Sequence, residues 1–104
     1  MEITNKQKER LDFWIKTSFY FIKYPEPCPE GFWIDRENKY VLIHRMSLDH
    51  LKASIKLIER EVNSFLKYTS RSDENMMVYE EFIIKPARVK QIELETAFRE
   101  KSDF

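Results

Sequence analysis

Residues 32 to 66 constrain the fold more than any other part of this chain, because an alternating aromatic and β-branched segment passes without a gap into a capped helix. Along that helix Leu48, Leu51, Ile55, Ile58, Val62 and Phe65 recur at intervals of three and four, a seam that requires an apolar partner surface. Ser47 is a good N-cap, and Asp49 places a negative charge at the positive end of the helix dipole. Met46 before the cap and Leu51 within the first turns form the pair of a hydrophobic staple. His50 stands where a capping box has Glu or Gln, and reads as a first-turn histidine beside a cap.

The segments around this core element follow from the same periodicities. A helix opens at Thr4, with Gln7 at capping-box spacing, and runs to about Tyr24. Its apolar residues Leu11, Trp14, Ile15, Phe19 and Ile22 form one broad face, while Phe13, Tyr20 and Phe21 lie on other sides. Residues 25 to 31 alternate Pro25, Pro27 and Pro29 and end in Gly31, which makes a stiff extended connector. Phe32 to Asp35 and Tyr40 to His44 read as strands of a hairpin closed by Arg36-Glu37-Asn38-Lys39, with Asn38 suited to the left-handed conformation. The Tyr40/Leu42 or the Val41/Ile43 face leans on the helices, which leaves the other face open; His44 and Arg45 protect the edge of the second strand. After a polar loop at Thr69 to Asn75, a helix starts near Ser72, Pro86 breaks or restarts the chain, and Ala87 to Lys101 is helical. A strand pair over residues 78 to 95 is the alternative. The fold class is therefore α+β: a β-hairpin packed against three or four helices in one helix-rich domain spanning 1–104.

Composition excludes several functions. The 104 residues carry eighteen basic and eighteen acidic side chains, so neither a nucleic-acid mimic nor a basic arm that wraps DNA fits the balance. Eight Phe, five Tyr and two Trp count against disorder despite the 35% of charged residues. The single cysteine, Cys28, rules out an internal disulfide and, with only His44 and His50, leaves too few soft ligands for a structural zinc. The single glycine removes phosphate-cradling loops. No stretch approaches the roughly 18 apolar residues of a membrane span, and the expectation is a cytoplasmic protein without cofactor or metal.

No constellation specifies a reaction. Glu80 and Glu81 are neighbours on a helix and point apart, so they cannot act as a carboxylate dyad, and the chain reads as a binding protein and not as an enzyme. Trp33, Tyr40 and Tyr20 are the residues chosen as anchors for a partner protein, since aromatic side chains dominate interface energetics. Lys52, Lys56, Arg60 and Lys67 share one side of the long helix with Asn63 and are the candidate contacts to nucleic acid. A homodimer is expected from the surplus of apolar surface, and an oligomer that binds a small ligand between protomers is a further alternative.

Trp33-Ile34 with Asp35-Arg36, a strand ending at Ile43 and Met46, and His50-Leu51 leading to Ile55 and Leu57-Ile58-Glu59-Arg60 together resemble small proteins encoded by bacteriophages and prophages. The likeness covers about residues 32–62, with Asn38 where a glycine is common and Ser54 where an asparagine is common. It implies an origin on a mobile element and no particular activity. The aromatic excess, the balanced charge and the absence of a catalytic constellation make a host or anti-phage defence protein, inhibited or redirected in the host cytoplasm, the expected partner class.

Overall fold

The computed structural model describes residues 2–23, 26–69 and 74–103. Helix α1 (Asn5–Thr17) is followed by strands β1 (Phe32–Ile34) and β2 (Tyr40–Leu42), helix α2 (Leu48–Tyr68), a short helix α3 (Met76–Tyr79) and helix α4 (Lys85–Ser102). A π turn over Glu80–Ile84 joins α3 to α4, so the described part of the chain is mostly helical, with three helical rods and a two-stranded antiparallel sheet. No helix among the described residues is long and apolar enough to cross a membrane.

The helix starts follow the expected chemistry. Thr4 Oγ1 accepts from the Gln7 N–H at 3.1 Å and Gln7 Oε1 accepts from the Thr4 N–H at 2.9 Å, which closes the capping box. Ser47 Oγ accepts from the His50 N–H at 3.1 Å at the start of α2, and both staple residues, Met46 and Leu51, are buried. In the hairpin turn Asp35 Oδ1 accepts from the N–H groups of Glu37 and Lys39, both at 2.9 Å, and Asn38 takes the left-handed conformation at φ 63°. The register pairs Phe32 with Leu42, Trp33 with Val41 and Ile34 with Tyr40.

Helix α1 ends at Thr17 and not near Tyr24, which itself lies outside the described residues. The cause is packing. Within a helix Phe19 and Phe21 would point to nearly opposite sides, by 200° of rotation over two residues. Unwinding into the turns at 18–22 lets Phe19, Phe21 and Ile22 all enter the core, at 0%, 0% and 2% exposure. The several apolar sides of this segment thus belong to the interior.

The seam of α2 is rotated from the expected one. Leu51, Ser54, Ile58, Val62 and Phe65 are buried, while Ile55 is half-buried and Leu48 is 40% exposed. Helix α2 lies between two neighbours: Ser54 and Leu57 face a depression shared with Tyr20 and Trp33, and Ile55 faces Ile92 and Phe98 of α4. Inward direction therefore falls between these flanks. Phe65 is the centre, with ring centroids 4.8 Å from Trp14, 5.5 Å from Phe19 and 5.2 Å from Tyr79, all edge to face.

The C-terminal part is helical throughout Met76–Ser102, so the strand pair over 78–95 does not form, and the proposed start at Ser72 lies outside the described residues. Pro86 does not break the rod. Its ring lacks an N–H and would collide with the carbonyl four residues back in a regular α-helix. The wider turn before it, in which the Lys85 N–H donates to the Glu80 carbonyl, carries the rod through that position.

Ile58 is fully buried, and Ile58→Ala should cost about 2–5 kcal/mol in urea melts. Ile55→Ala, at a half-buried flank, should cost less than about 2 kcal/mol in the same assay. Equal losses at the two positions would contradict the rotated seam.

Candidate functional site

The residues expected to anchor a partner separate into floor and surface. Trp33 is 2% exposed, stacked on Phe21 at a centroid distance of 5.2 Å, and so belongs to the core and offers no surface anchor. Its burial has a simple cause: Trp33 pairs with Val41 on the face of the hairpin that leans inward, and Val41 packs against the same core. Ile34 on the opposite face is fully buried as well, while Tyr40, its cross-strand partner there, stays exposed, so that face is covered in part.

Tyr40, by contrast, is 51% exposed. Its hydroxyl accepts a hydrogen bond from Lys23 Nζ at 3.1 Å, and the same ammonium lies 4.9 Å from the centre of its ring. Lys23 reaches it from a left-handed backbone conformation, φ 55°, which is unusual for a lysine. An exposed ring is in this way held in one orientation by a neighbouring turn. Tyr20 is half-buried and, with Trp33, His50 and Leu57, lines a shallow depression of about 400 Å³ that opens beside the hairpin turn. His44 and His50 are both exposed.

The basic residues Lys52, Lys56, Arg60 and Lys67 are all exposed on α2. Arg60 pairs with Glu61 at 3.4 Å. Among the described residues no carboxylate lies within ion-pair distance of Lys52, Lys56 or Lys67.

A second site was not anticipated. Lys90 on α4 is 3% exposed, and its ammonium donates to the carbonyls of Pro29 at 3.1 Å and Phe32 at 2.7 Å and to Glu93 Oε2 at 2.8 Å. The other carboxylate oxygen, Glu93 Oε1, accepts from the Gly31 N–H at 2.6 Å. Gly31 presents that N–H from φ 85°, a conformation that glycine adopts without a Cβ penalty. Every proton of the ammonium has an acceptor, which makes Lys90 a clamp on the connector and leaves it no proton or lone pair for chemistry. Cys28 Sγ lies 3.3 Å from the Phe32 carbonyl beside the clamp. Burial pushes its thiol pKa up, against the opposing pull of the Lys90 charge. A cleft of about 580 Å³ opens over this network, walled by Ile22, Pro27, Pro86 and Val89. In the sequence Lys90 is one of many charged residues on a helix; only its three-residue spacing to Glu93 hints at a pair.

Removing one partner of this buried pair leaves the other charge and two carbonyls unsatisfied, so Lys90→Met should destabilise the fold by roughly 3 kcal/mol, read by urea melts. Exchange of the Gly31 amide should accelerate in Glu93→Gln. For Cys28, the raised pKa means that the folded protein holds the thiol proton more tightly than the unfolded chain. Stability should accordingly fall as pH rises from the thiol pKa of the unfolded chain up through the higher one of the folded protein, and alkylation of the folded protein should need higher pH than alkylation in urea. A folded-state alkylation profile centred below the unfolded one would contradict the burial.

Comparison of the chain with protein-family models, with curated proteins and with solved structures finds no match.

Proposed function

We propose that this protein acts by binding a partner protein, without turnover, through the surface around Tyr40 and Tyr20. The supporting observation is the fixed, half-exposed ring of Tyr40, held by the Lys23 ammonium at its hydroxyl and over its face. A large amphipathic side chain already confined to one orientation loses little entropy on docking, which is the property of an interface anchor. Tyr20 adds a concave element, the depression lined with Trp33 that opens beside the hairpin turn. In keeping with the phage resemblance of residues 32–62, the partner is a host or anti-phage defence factor that the protein inhibits or redirects in the host cytoplasm.

Contact with nucleic acid through α2 is the second reading, and the exposed lysines Lys52, Lys56 and Lys67, without an ion-pair partner among the described residues, favour it. The two readings differ in where affinity resides. Partner binding should weaken by about 1–3 kcal/mol in Tyr40→Ala, with little dependence on salt. Binding to random duplex or single-stranded DNA, measured at two salt concentrations, should be undetectable. Tight binding that falls steeply with salt and is lost on reversing Lys56 and Arg60 to Glu would replace the protein partner with nucleic acid.

A further inference from the structure

The cleft of about 580 Å³ over the Lys90 clamp has the size of a small-molecule site, for which volumes run from roughly 300 to 1,000 Å³. One wall is helical, since Pro86, Val89, Lys90 and Glu93 recur at three and four along α4. The connector supplies the other through Pro27, Cys28 and Glu30. Val89 is apolar and yet 59% exposed, while Ile22 beside it in the lining is only 2% exposed. The walls are also fixed before anything enters. Lys90 and Glu93 hold the connector at Pro29 and Gly31, and the Cys28 N–H donates to the Ile22 carbonyl at 2.9 Å. A ligand therefore meets apolar surface that it need not order first.

The polar groups of the lining are unevenly spent. Three of its side chains carry donors: Lys90 uses every proton within the clamp, the Cys28 thiol is turned to the Phe32 carbonyl at 3.3 Å, and Lys85 is held by Glu81 Oε2 at 3.0 Å. Pro27 and Pro86 have no N–H to offer. Acceptors remain. Glu81 gives Lys85 one of its two oxygens, and Glu30, which is exposed, has no ion-pair partner among the described residues.

Charge points the same way. Glu30, Glu81 and Glu93 line the cleft against Lys85 and Lys90, an excess of one carboxylate. From outside the lining Glu80 acts on Lys85 and Lys23 acts on Cys28, and these two charges offset each other. So do Glu26 and Arg88, the sequence neighbours of Pro27 and Val89. An anion would have to take Lys85 from Glu81, whereas a cation finds Glu30 without a competitor.

We infer that this cleft binds a small organic cation, an apolar body carrying a protonated amine, with the amine at Glu30 and the body against Val89, Pro86 and Ile22. No residue of this lining lines the depression beside Tyr20, so the ligand is independent of the protein partner proposed there.

Three probes that share one apolar body test this at neutral pH: naphthylethylamine, the uncharged naphthylethanol and the anionic naphthylpropionate. Each is titrated into the isotope-labelled chain and followed by amide NMR, whose spectrum also checks that every variant is folded. In the wild type the amine should shift the amides of Glu30 and Val89 and bind about fivefold more tightly than the propionate, the size that an exposed ion pair supports, with the alcohol between them. Glu30→Gln should bring the three affinities together, and Glu30→Lys should invert their order. An alcohol that binds the wild type as tightly as the amine would make the occupant merely apolar, and a tighter propionate would make it an anion; either overturns the inference. So would shifts that spare Glu30 and Val89, an order of affinities unmoved by both Glu30 variants, or the absence of binding by all three probes.

Discussion

The ammonium of Lys90 holds the architecture in register. A charge taken out of water is tolerated only where the protein replaces its hydration shell, and here two backbone carbonyls and a carboxylate do so. The match with the connector is chemical. A segment spaced by prolines is short of N–H groups and rich in carbonyls, so it cannot join a sheet or helix, and a donor-only side chain is its natural complement. Through that clamp and the Glu93 contact to Gly31, α4 fixes the point at which the hairpin begins.

The rest of the interior is organised around Phe65, where α1, α2 and α3 converge through edge-to-face aromatic contacts. Two departures from regular helix serve that packing. The unwinding after Thr17 directs Phe19, Phe21 and Ile22 inward together, and the π turn before Pro86 lets one rod supply Val78, Tyr79, Ile83 and Ile84 to the core and then Lys90 to the clamp. In both places side-chain burial outweighs the preference for uninterrupted α-helical hydrogen bonding. Each regular helix gives way only locally.

Because the aromatic surplus is mostly consumed in this way, the surface that remains is specific. Tyr40 projects under the control of Lys23, and Ile92 stays largely exposed over the α2/α4 groove. Burial of Trp33 supports the first of these, since it anchors the hairpin that carries Tyr40 and lines the depression beside Tyr20.

What depends on neighbours within a few residues can be read from the sequence. Thr4 and Ser47 cap their helices, Asn38 turns the hairpin and the proline run separates helix from strand, because each of these effects is local hydrogen bonding or backbone restriction. What depends on which elements meet was beyond it. Periodicity identified an apolar side of α2 but could not choose between Ser54 and Ile55, since a choice of 100° on a helix is settled by the neighbours that cover it. Trp33 and Tyr40 look alike as strand aromatics, yet one is core and the other surface. Lys90 is the clearest case: its local sequence offers only the spacing to Glu93, and the arrival of carbonyls from 58 and 61 residues away completes the acceptors that make its burial favourable.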